Sequence, residues 1–414
     1  MRFLLKDESI FWIVIQQLFQ RGLIAVKFFV IAKFLGAEEV GVISILLLII
    51  AILESVSDFG INAMYISSKK QFDDKLKSII FTWQTTRGII IFCMYIIVFY
   101  VLFKMNVINF SFVNNIYIYI FGSVILFKSL NNINVFEYIK ARKFKKNSLF
   151  IISIAFVDFF LSMISIFYFK NVEVLIIFSI ITEILKMGLS HIIFKRLNNL
   201  KLNFSFSEIN NELEYGKSVW KNNLVIVFLS QIDKIIITIM YTPFFIGIYQ
   251  MLFKITSLAF TDSFQVLNQY YLSIMAKESN NLNFKQSKLK NLKRLKIIFI
   301  GSIFISVILI LSFEKIVNIF LNDDWKDYKL LFILLTVNSL IGALNSLLNT
   351  IFKSVGAPKF ALKAVYIQLF ISCFYLLTIY LMGQISLNTI AIGILLSNLI
   401  GCSVLMITYI KFDR

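Results

Sequence analysis

The stretch IFWIVIQQLFQRGLIAVKFFVIA, from Ile10 to Ala32, decides the fold. It is long enough to cross a bilayer, which takes about 20 residues, yet it carries two cations, Arg21 and Lys27. A charge at the centre of a spanning helix costs roughly 2.5–3.5 kcal/mol on insertion scales, so it is usually kept where it faces a polar interior. Helical spacing places Gln16, Gln20 and Lys27 on one side. The stretch therefore predicts a first spanning helix that faces a hydrated cavity.

A simpler alternative exists for both cations. Local partners can neutralise Arg21 and Lys27, or the long side chain of Lys27 can reach the outer interface. The two cations together with the glutamines favour the cavity.

The whole chain has the composition of a polytopic membrane protein. Its 414 residues are 59% hydrophobic, include only 2 prolines, and have a mean hydropathy of +0.83. We expect an all-α fold with an uncleaved first span and 12 transmembrane helices. The predicted helices lie near 10–32, 40–66, 79–103, 116–136, 149–169, 173–194, 219–241, 245–272, 297–313, 329–352, 361–382 and 387–410.

The basic residues predict the orientation. Most lysines and arginines fall in alternate connections, and the remaining connections hold only Lys33, Lys104, Lys170, Lys315, Lys326 and Lys329. The positive-inside rule then puts both termini in the cytoplasm. This asymmetry also accounts for the net charge of +18 without a nucleic-acid partner.

The residues that usually carry catalysis or metal binding are scarce. The chain has three cysteines, Cys93, Cys373 and Cys402, all within apolar runs, and one histidine, His191. We expect no metal site, no cofactor and no enzyme activity. A membrane polymerase or ligase is the alternative from another class, but it would need a larger outer segment than 314–328, the longest predicted outer loop.

The chain divides into two similar halves. Residues 1–205 are expected to form an N-lobe of helices one to six, and residues 206–414 a C-lobe of helices seven to twelve. Gly41 and Gly247 each stand where a short outer turn re-enters the membrane. This faint repeat predicts two six-helix lobes around a central cavity.

Charged residues inside the predicted spans mark the polar path. The cations are Arg21, Lys27, Arg87, Lys128, Lys186, Lys221, Lys234 and Lys254, and the acids are Glu54, Asp58, Asp158, Glu183, Asp233 and Asp262. All of them lie in helices one to eight. Glu183 and Lys186 have the i, i+3 spacing of a local structural pair. Arg87, Lys128 and Lys254 show no obvious partner on their own helix.

The cations predict a binding site for a phosphate-bearing substrate, because guanidinium forks match phosphate oxygens and ammonium groups add point charge. The candidate substrate-binding residues are Arg21, Lys27, Arg87, Lys128, Lys254 and Gln20. Four acids either balance these charges or titrate with a coupling proton or cation: Glu54, Asp58, Asp158 and Asp233.

Several stretches resemble the multidrug/oligosaccharidyl-lipid/polysaccharide (MOP) exporter superfamily, and most closely its Wzx-type flippases. The resembling stretches are FLGAEEVG at 34–41 with DFGI at 58–61, SQID at 230–233 through IGIY at 246–249, and VGAP at 355–358. The related lipid II flippase is similar in having two cations six residues apart in helix one and a basic residue in helix eight. These features match Arg21, Lys27 and Lys254.

The resemblance implies a flippase that works by alternating access in the bacterial cytoplasmic (inner) membrane. Its substrate would be an undecaprenyl-pyrophosphate-linked oligosaccharide, an O-antigen or capsule repeat unit. The expected partners are this lipid-linked oligosaccharide, membrane lipids and other glycan assembly proteins. A MATE-like drug or cation antiporter is the family alternative. Such a pocket favours acids and aromatic residues, whereas cations exceed acids here.

Overall fold

The computed structural model describes residues 8–60, 64–65, 74–107, 113–141, 143–194, 203–205, 210–265, 268, 284–354 and 357–411. Across these residues the regular structure is helical and no strand is present. The α-helices are α1 (Glu8–Phe34), α2 (Ala37–Ser57), α3 (Asp74–Lys104), α4 (Asn115–Phe121), α5 (Ser123–Ser129), α6 (Asn134–Lys140), α7 (Phe144–Ile164), α8 (Val172–Ile193), α9 (Asn210–Met240), α10 (Pro243–Ser257), α11 (Phe284–Leu311), α12 (Phe313–Phe320), α13 (Lys329–Ser354), α14 (Pro358–Leu381) and α15 (Leu387–Lys411). π-Helical turns follow α7 (Ser165–Phe169) and α10 (Leu258–Asp262), and a 3₁₀ helix precedes α13 (Asp323–Tyr328).

The helices are long and apolar enough for a multi-pass membrane protein. Ten of them meet the length and composition needed to cross a bilayer, and the bent pair Asn115–Ser129 and Asn134–Lys140 raises this to 11. The sixth predicted helix, 173–194, is present as α8 but is not one of the ten. The prediction of an all-α membrane protein is confirmed. The count of 12 spans and the cytoplasmic termini stay predictions.

One predicted helix, 116–136, is wrong as a single element. The structure divides this region into α4, α5 and α6, with a bend of 57° before α6. Gly122 lies between α4 and α5, where a Cβ would come within 2.5 Å of the Tyr95 ring. The side chain of Asn132 then accepts a hydrogen bond of 3.0 Å from the amide of Asn134, the first residue of α6.

The second helix ends earlier than the predicted residue 66. α2 stops at Ser57, and Phe59 and Gly60 follow with φ of +45° and +69°. A left-handed backbone is typical of helix C-termini but strained for a bulky residue such as Phe59.

An aromatic contact holds this helix end. Phe59 stacks on Trp220 with ring centroids 4.8 Å apart. The Trp220 indole Nε1 donates to the carbonyl oxygens of Ser55 and Val56, both at 3.0 Å. The last carbonyls of α2 therefore find a donor from the start of the second half of the chain.

Other segments of interest lie partly outside the described residues. They are the predicted linker 195–217, the basic segment 273–296, the end of the predicted helix 245–272, and the VGAP stretch at 355–358. Within the described part, α11 begins at Phe284 rather than at the predicted residue 297.

The chain packs as two compact units. Unit 1 comprises Met1–Leu35, Val42–Val227 and Thr238–Pro243, and unit 2 comprises Gly36–Gly41, Phe228–Ile237 and Phe244–Arg414. In unit 1, α1 lies along α7, and α7 along α8. In unit 2, α15 packs against both α13 and α14. The lobe boundary between residues 205 and 206 and the central cavity stay predictions.

The two glycines of the sequence repeat meet inside unit 2. A Cβ at Gly247 would lie 1.7 Å from the Ala37 carbonyl oxygen and 3.0 Å from the Gly41 amide nitrogen. Only a glycine lets α10 approach the start of α2 so closely. The Ala37 amide also donates to the Asp324 carboxylate at 3.3 Å, which caps α2 from a segment 287 residues further along the chain.

Candidate functional site

Unit 1 contains a cavity of about 430 Å³ that we call the Lys27 cavity. Side chains from α1, α2, α4, α5, α7 and α8 line it, and most of them are apolar. Its polar lining consists of Gln20, Lys27, Asp158, Ser179, Thr182, Glu183 and Lys186. The expectation that the polar side of the first helix faces a cavity therefore agrees with the position of Gln20 and Lys27.

Two residues of the cavity lining form an ion pair between different helices. Nζ of Lys27 on α1 donates to Oδ2 of Asp158 on α7 at 2.8 Å, with 14% and 26% of the two side chains exposed. About three helical turns nearer the cytoplasmic end expected for α1, Gln16 accepts a hydrogen bond from Ser148 at 3.1 Å. These contacts join α1 to α7 through polar groups that a lipid-facing surface would not satisfy.

A second cavity of about 230 Å³, the Arg87 cavity, lies beside the first. Arg87, Lys128, Lys186 and Glu54 supply its charges, and its neutral polar lining consists of Gln84, Ser129, Asn131, Asn132, Asn147 and Ser190. Phe150, Ile151 and Lys186 line both cavities. The two cavities therefore share a wall.

Both cations predicted for the substrate in this second cavity have carboxylate partners. Nζ of Lys128 lies 2.7 Å from Glu54, and a guanidinium nitrogen of Arg87 lies 3.0 Å from Asp58. The first ion pair joins α5 to α2, and the second joins α3 to the residue that follows α2. Three cations and one carboxylate line the cavity itself, and the carboxylates paired with Arg87 and Lys186 lie outside its lining.

The predicted local pair of α8 is confirmed. Nζ of Lys186 lies 3.1 Å from both carboxylate oxygens of Glu183. Sequence reasoning gave this pair a structural role only, but Lys186 lines both cavities. Its functional position was missed because the i, i+3 spacing already explained the charge.

The predicted cation of helix eight lies in unit 2 with a partner of its own. Lys254 Nζ is 3.7 Å from Asp262 Oδ2, and the π turn Leu258–Asp262 lies between the two residues. The expectation that Lys254 has no partner on its own helix is therefore wrong. An extra residue in the π turn changes which side chains align, and regular helical spacing does not show this.

Asp233 lies in a buried cluster of unit 2. Its Oδ2 accepts a hydrogen bond of 2.6 Å from the Tyr249 hydroxyl, and its Oδ1 lies 3.9 Å from Lys234 Nζ. The same ammonium lies 4.5 Å from the centroid of the Phe253 ring. Asp233 and Lys234 are 4% and 6% exposed, so this carboxylate is enclosed by its partners.

The structure thus groups some predicted site residues and separates others. Gln20, Lys27 and Asp158 line one cavity, Arg87, Lys128 and Glu54 line the other, and Asp58 holds Arg87. Among the described residues, Arg21 is half-buried on α1 and lines neither cavity. Lys254 and Asp233 belong to unit 2.

The enzyme alternative depends on the predicted outer loop 314–328, which consists of most of α12 and the 3₁₀ helix Asp323–Tyr328. Lys329 donates to Glu314 at 2.8 Å, and this hydrogen bond lowers the pKa of the Glu314 carboxyl. Lys326 lies 2.7 Å from Asp323, and both side chains are more than half exposed. These are surface ion pairs of the kind that contribute little to stability.

The fold is similar to that of transporters of the MOP superfamily. An inward-facing multidrug resistance MATE family transporter of this superfamily has a TM-score of 0.69 at 12% identity, over 94% of this chain and 93% of that one. Lipid II flippase MurJ in an inward closed conformation has a TM-score of 0.70 at 14% identity, over 96% and 87%. A MOP transporter from Pyrococcus furiosus, noted for the reverse polarity of its binding pocket, reaches 0.60 at 11% identity, over 97% and 95%.

At such identities these likenesses show the fold alone. The sequence family described as "Polysaccharide biosynthesis protein" matches residues 30–330, and the chain belongs to this family. No curated protein matches the chain. The fold expected from the resemblance to the MOP superfamily is confirmed, and membership of this family connects the chain with polysaccharide biosynthesis.

Proposed function

We propose that this protein is a flippase for an oligosaccharide carried on a polyprenyl pyrophosphate, such as undecaprenyl pyrophosphate. The observation that carries this proposal is the Arg87 cavity, where three cations and one carboxylate lie among helices long enough to span a membrane. The family description, polysaccharide biosynthesis, supports a glycan as part of the substrate. The cations of the cavity support an anionic group, the pyrophosphate.

The chemistry of the site suits two linked phosphate groups. A guanidinium forms paired hydrogen bonds to phosphate oxygens, and the ammonium groups of Lys128 and Lys186 add charge without fixed geometry. Within an apolar protein these charges attract an anion more strongly than they would in water. An entering diphosphate has to compete with Glu54 and Asp58, which pair with Lys128 and Arg87.

Alternating access supplies the movement, and no bond in the substrate is made or broken. In this mechanism the site opens first to the cytoplasmic leaflet and then to the outer leaflet of the bacterial inner membrane. The paired carboxylates also supply groups for coupling to a proton or cation gradient. Asp158 is the best placed of them, since it shares a cavity with Lys27.

A drug or cation antiporter is the second candidate. The likeness to a MATE family transporter favours it, and so does the Lys27 cavity, where two cations meet two carboxylates. A cationic drug in the Arg87 cavity would meet three cations and only one carboxylate on the wall. The flippase is therefore the stronger proposal.

Complementation of a bacterial strain that lacks its repeat-unit flippase tests the function. We expect surface glycan to return for at least one repeat unit in a panel of different sugars, while lipid-linked repeat units stop accumulating inside. Lys128→Ala should abolish export, and the matched control Lys326→Ala, at an exposed surface pair, should preserve it. Failure across the panel at good expression, with drug efflux instead, would overturn the flippase in favour of the antiporter.

A further inference from the structure

The two adjoining cavities of unit 1 have different chemistry. The walls of the Lys27 cavity are mainly apolar, with Phe28, Leu46, Leu47 and Ile154 among them. The Arg87 cavity is smaller and is rich in amide and hydroxyl groups. Such a contrast between neighbouring spaces suits a ligand with an apolar part directly joined to a charged part.

The Lys27 cavity has no net charge to offer an anion. Lys27 is paired with Asp158, and Lys186 is paired with Glu183. Pairing also reduces the cost of placing these groups beside an apolar ligand, because each charge keeps its partner. The space of about 430 Å³ is therefore best suited to a hydrocarbon group, which would contact the apolar walls beside the paired charges.

The wall of the Arg87 cavity holds three cations, each paired with a carboxylate, and it also holds acceptors without donors. Its cations exceed its single lining carboxylate, Glu54. The side-chain oxygens of Asn131 and Asn147 are buried and have no hydrogen-bond partner among the described residues. Asn147 is 6% exposed, so bulk water does not replace the missing donor. These groups match a diphosphate whose attached sugar donates hydroxyl hydrogen bonds.

We propose that the Arg87 cavity holds the diphosphate and the first sugar, and that the Lys27 cavity holds the isoprene units next to the phosphate. The assignment rests on the proposed flippase function and names the lipid part of its substrate. Phe150, Ile151 and Lys186 lie on the shared wall, where the phosphate ester joins the hydrocarbon. The protein therefore recognises the beginning of the polyprenyl chain and leaves the remainder in the bilayer.

This division makes the lipid a determinant of specificity. A polar carrier with the same phosphates, such as a nucleoside diphosphate sugar, would place a nucleoside against the apolar walls. That arrangement leaves polar groups without partners, which is unfavourable. The site thus selects the lipid-linked form of a glycan over its soluble precursor.

Binding of simple probes to the purified full-length protein in nanodiscs tests the assignment. Inorganic pyrophosphate carries the charge alone, and farnesyl diphosphate adds three isoprene units. Affinities are obtained from intrinsic fluorescence and thermal shift, with farnesol as a control for partition into lipid. We expect farnesyl diphosphate to bind at least tenfold more tightly than pyrophosphate, because burial of hydrocarbon adds to the binding energy. Lys128→Ala should weaken both.

Variants of the apolar wall separate the two cavities. Ala155→Phe adds a ring to the Lys27 cavity and should remove most of the preference for farnesyl diphosphate without changing the affinity for pyrophosphate. Leu47→Ser gives a second variant at a wall residue that is 44% exposed, where folding should tolerate polarity, and should reduce the preference several-fold. Val101→Phe, at a residue of α3 that is 43% exposed and outside both linings, is the matched control.

The outcomes distinguish failure of the hydrocarbon-site assignment from failure of the flippase proposal on which it rests. Equal affinity for the two diphosphates, or a preference that survives both wall variants, would overturn the hydrocarbon site and leave the flippase proposal intact. Absence of binding by every diphosphate, together with failed complementation, would overturn both.

Discussion

Nζ of Lys128 lies 2.7 Å from Oε2 of Glu54, and this ion pair joins α5 to α2 at the edge of the Arg87 cavity. The two residues are 74 positions apart in the chain. Each charge therefore has two tasks: it stabilises the contact between two helices, and it sets the charge of the cavity.

Exchange of the two charges separates these tasks. Lys128→Glu or Glu54→Lys alone places like charges together and should lower the thermal unfolding midpoint and abolish export. The double variant restores the pair, so we expect its midpoint to return near the original value. Export should stay below about a tenth, because the ammonium now stands on α2 and no longer faces the substrate in the same way. Full export by the double variant would show that the pair is only structural.

Removal of one partner of the Lys27–Asp158 ion pair should lower the free energy of unfolding. Removal of one partner of a fully buried pair costs about 3–5 kcal/mol, and these partly exposed side chains should show roughly 1–3 kcal/mol. Asp158→Asn is therefore destabilising. The double variant Lys27→Met with Asp158→Leu should recover most of the loss, because neither charge is then left alone.

Unfolding in detergent, followed by the temperature midpoint, measures both effects. Export by the stable double variant provides the second readout, and we expect it to be reduced. An Asp158→Asn protein as stable as the original would contradict the proposed role of the pair.

Gly247→Ala should be among the most damaging small substitutions in unit 2. The added carbon meets the Ala37 carbonyl oxygen at 1.7 Å, and a backbone atom cannot turn aside as a side chain does. We expect a loss of more than 3 kcal/mol or a failure to accumulate folded protein. Gly301→Ala is the matched control, since no atom lies within 4 Å of its new Cβ and alanine favours the helix. Size-exclusion chromatography and thermal unfolding compare the two, and equal behaviour would show that α10 can shift.

The contact between Trp220 and the end of α2 predicts a smaller effect. Trp220→Phe keeps a ring against Phe59 but removes the donor to the carbonyls of Ser55 and Val56. The expected loss is about 1 kcal/mol, the usual net worth of a hydrogen bond in a protein. Thermal unfolding measures it, and the fluorescence lost in the variant reports the environment of Trp220. An unchanged midpoint would mean that water replaces the indole without cost.

The long apolar runs made the helices predictable, because a spanning segment must satisfy its backbone internally. The breaks were less predictable, since single residues fix them. The predicted helix 116–136 is broken where Gly122 contacts the Tyr95 ring and where the Asn132 side chain accepts a hydrogen bond from the Asn134 amide, and the hydrophobic pattern shows neither contact. Phe59 ends α2 in a left-handed conformation that sequence propensity disfavours.

The candidate site divides in the same way. The cost of a charge in a membrane predicted Lys27, Arg87 and Lys128 for the polar path, and these three line cavities of unit 1. The same argument predicted Arg21, which lines neither cavity. Their partners required the fold, because Lys27 and Asp158 are 131 positions apart and only packing brings α1 to α7. The roles of these residues in binding or coupling remain predictions for the experiments above.

The hydrogen bond from Ala37 to Asp324 has a consequence for biosynthesis. The two residues are separated by 287 positions, and ribosomes add about 5–20 residues per second. The start of α2 therefore waits roughly 15–60 s for the segment that caps it. Throughout that interval the newly inserted α2 has an uncapped end, and its partner Gly247 arrives only after the first half has been made. Capping of α2 is thus a late step of assembly, and a nascent chain that stalls before Asp324 should be a preferred substrate for membrane quality control.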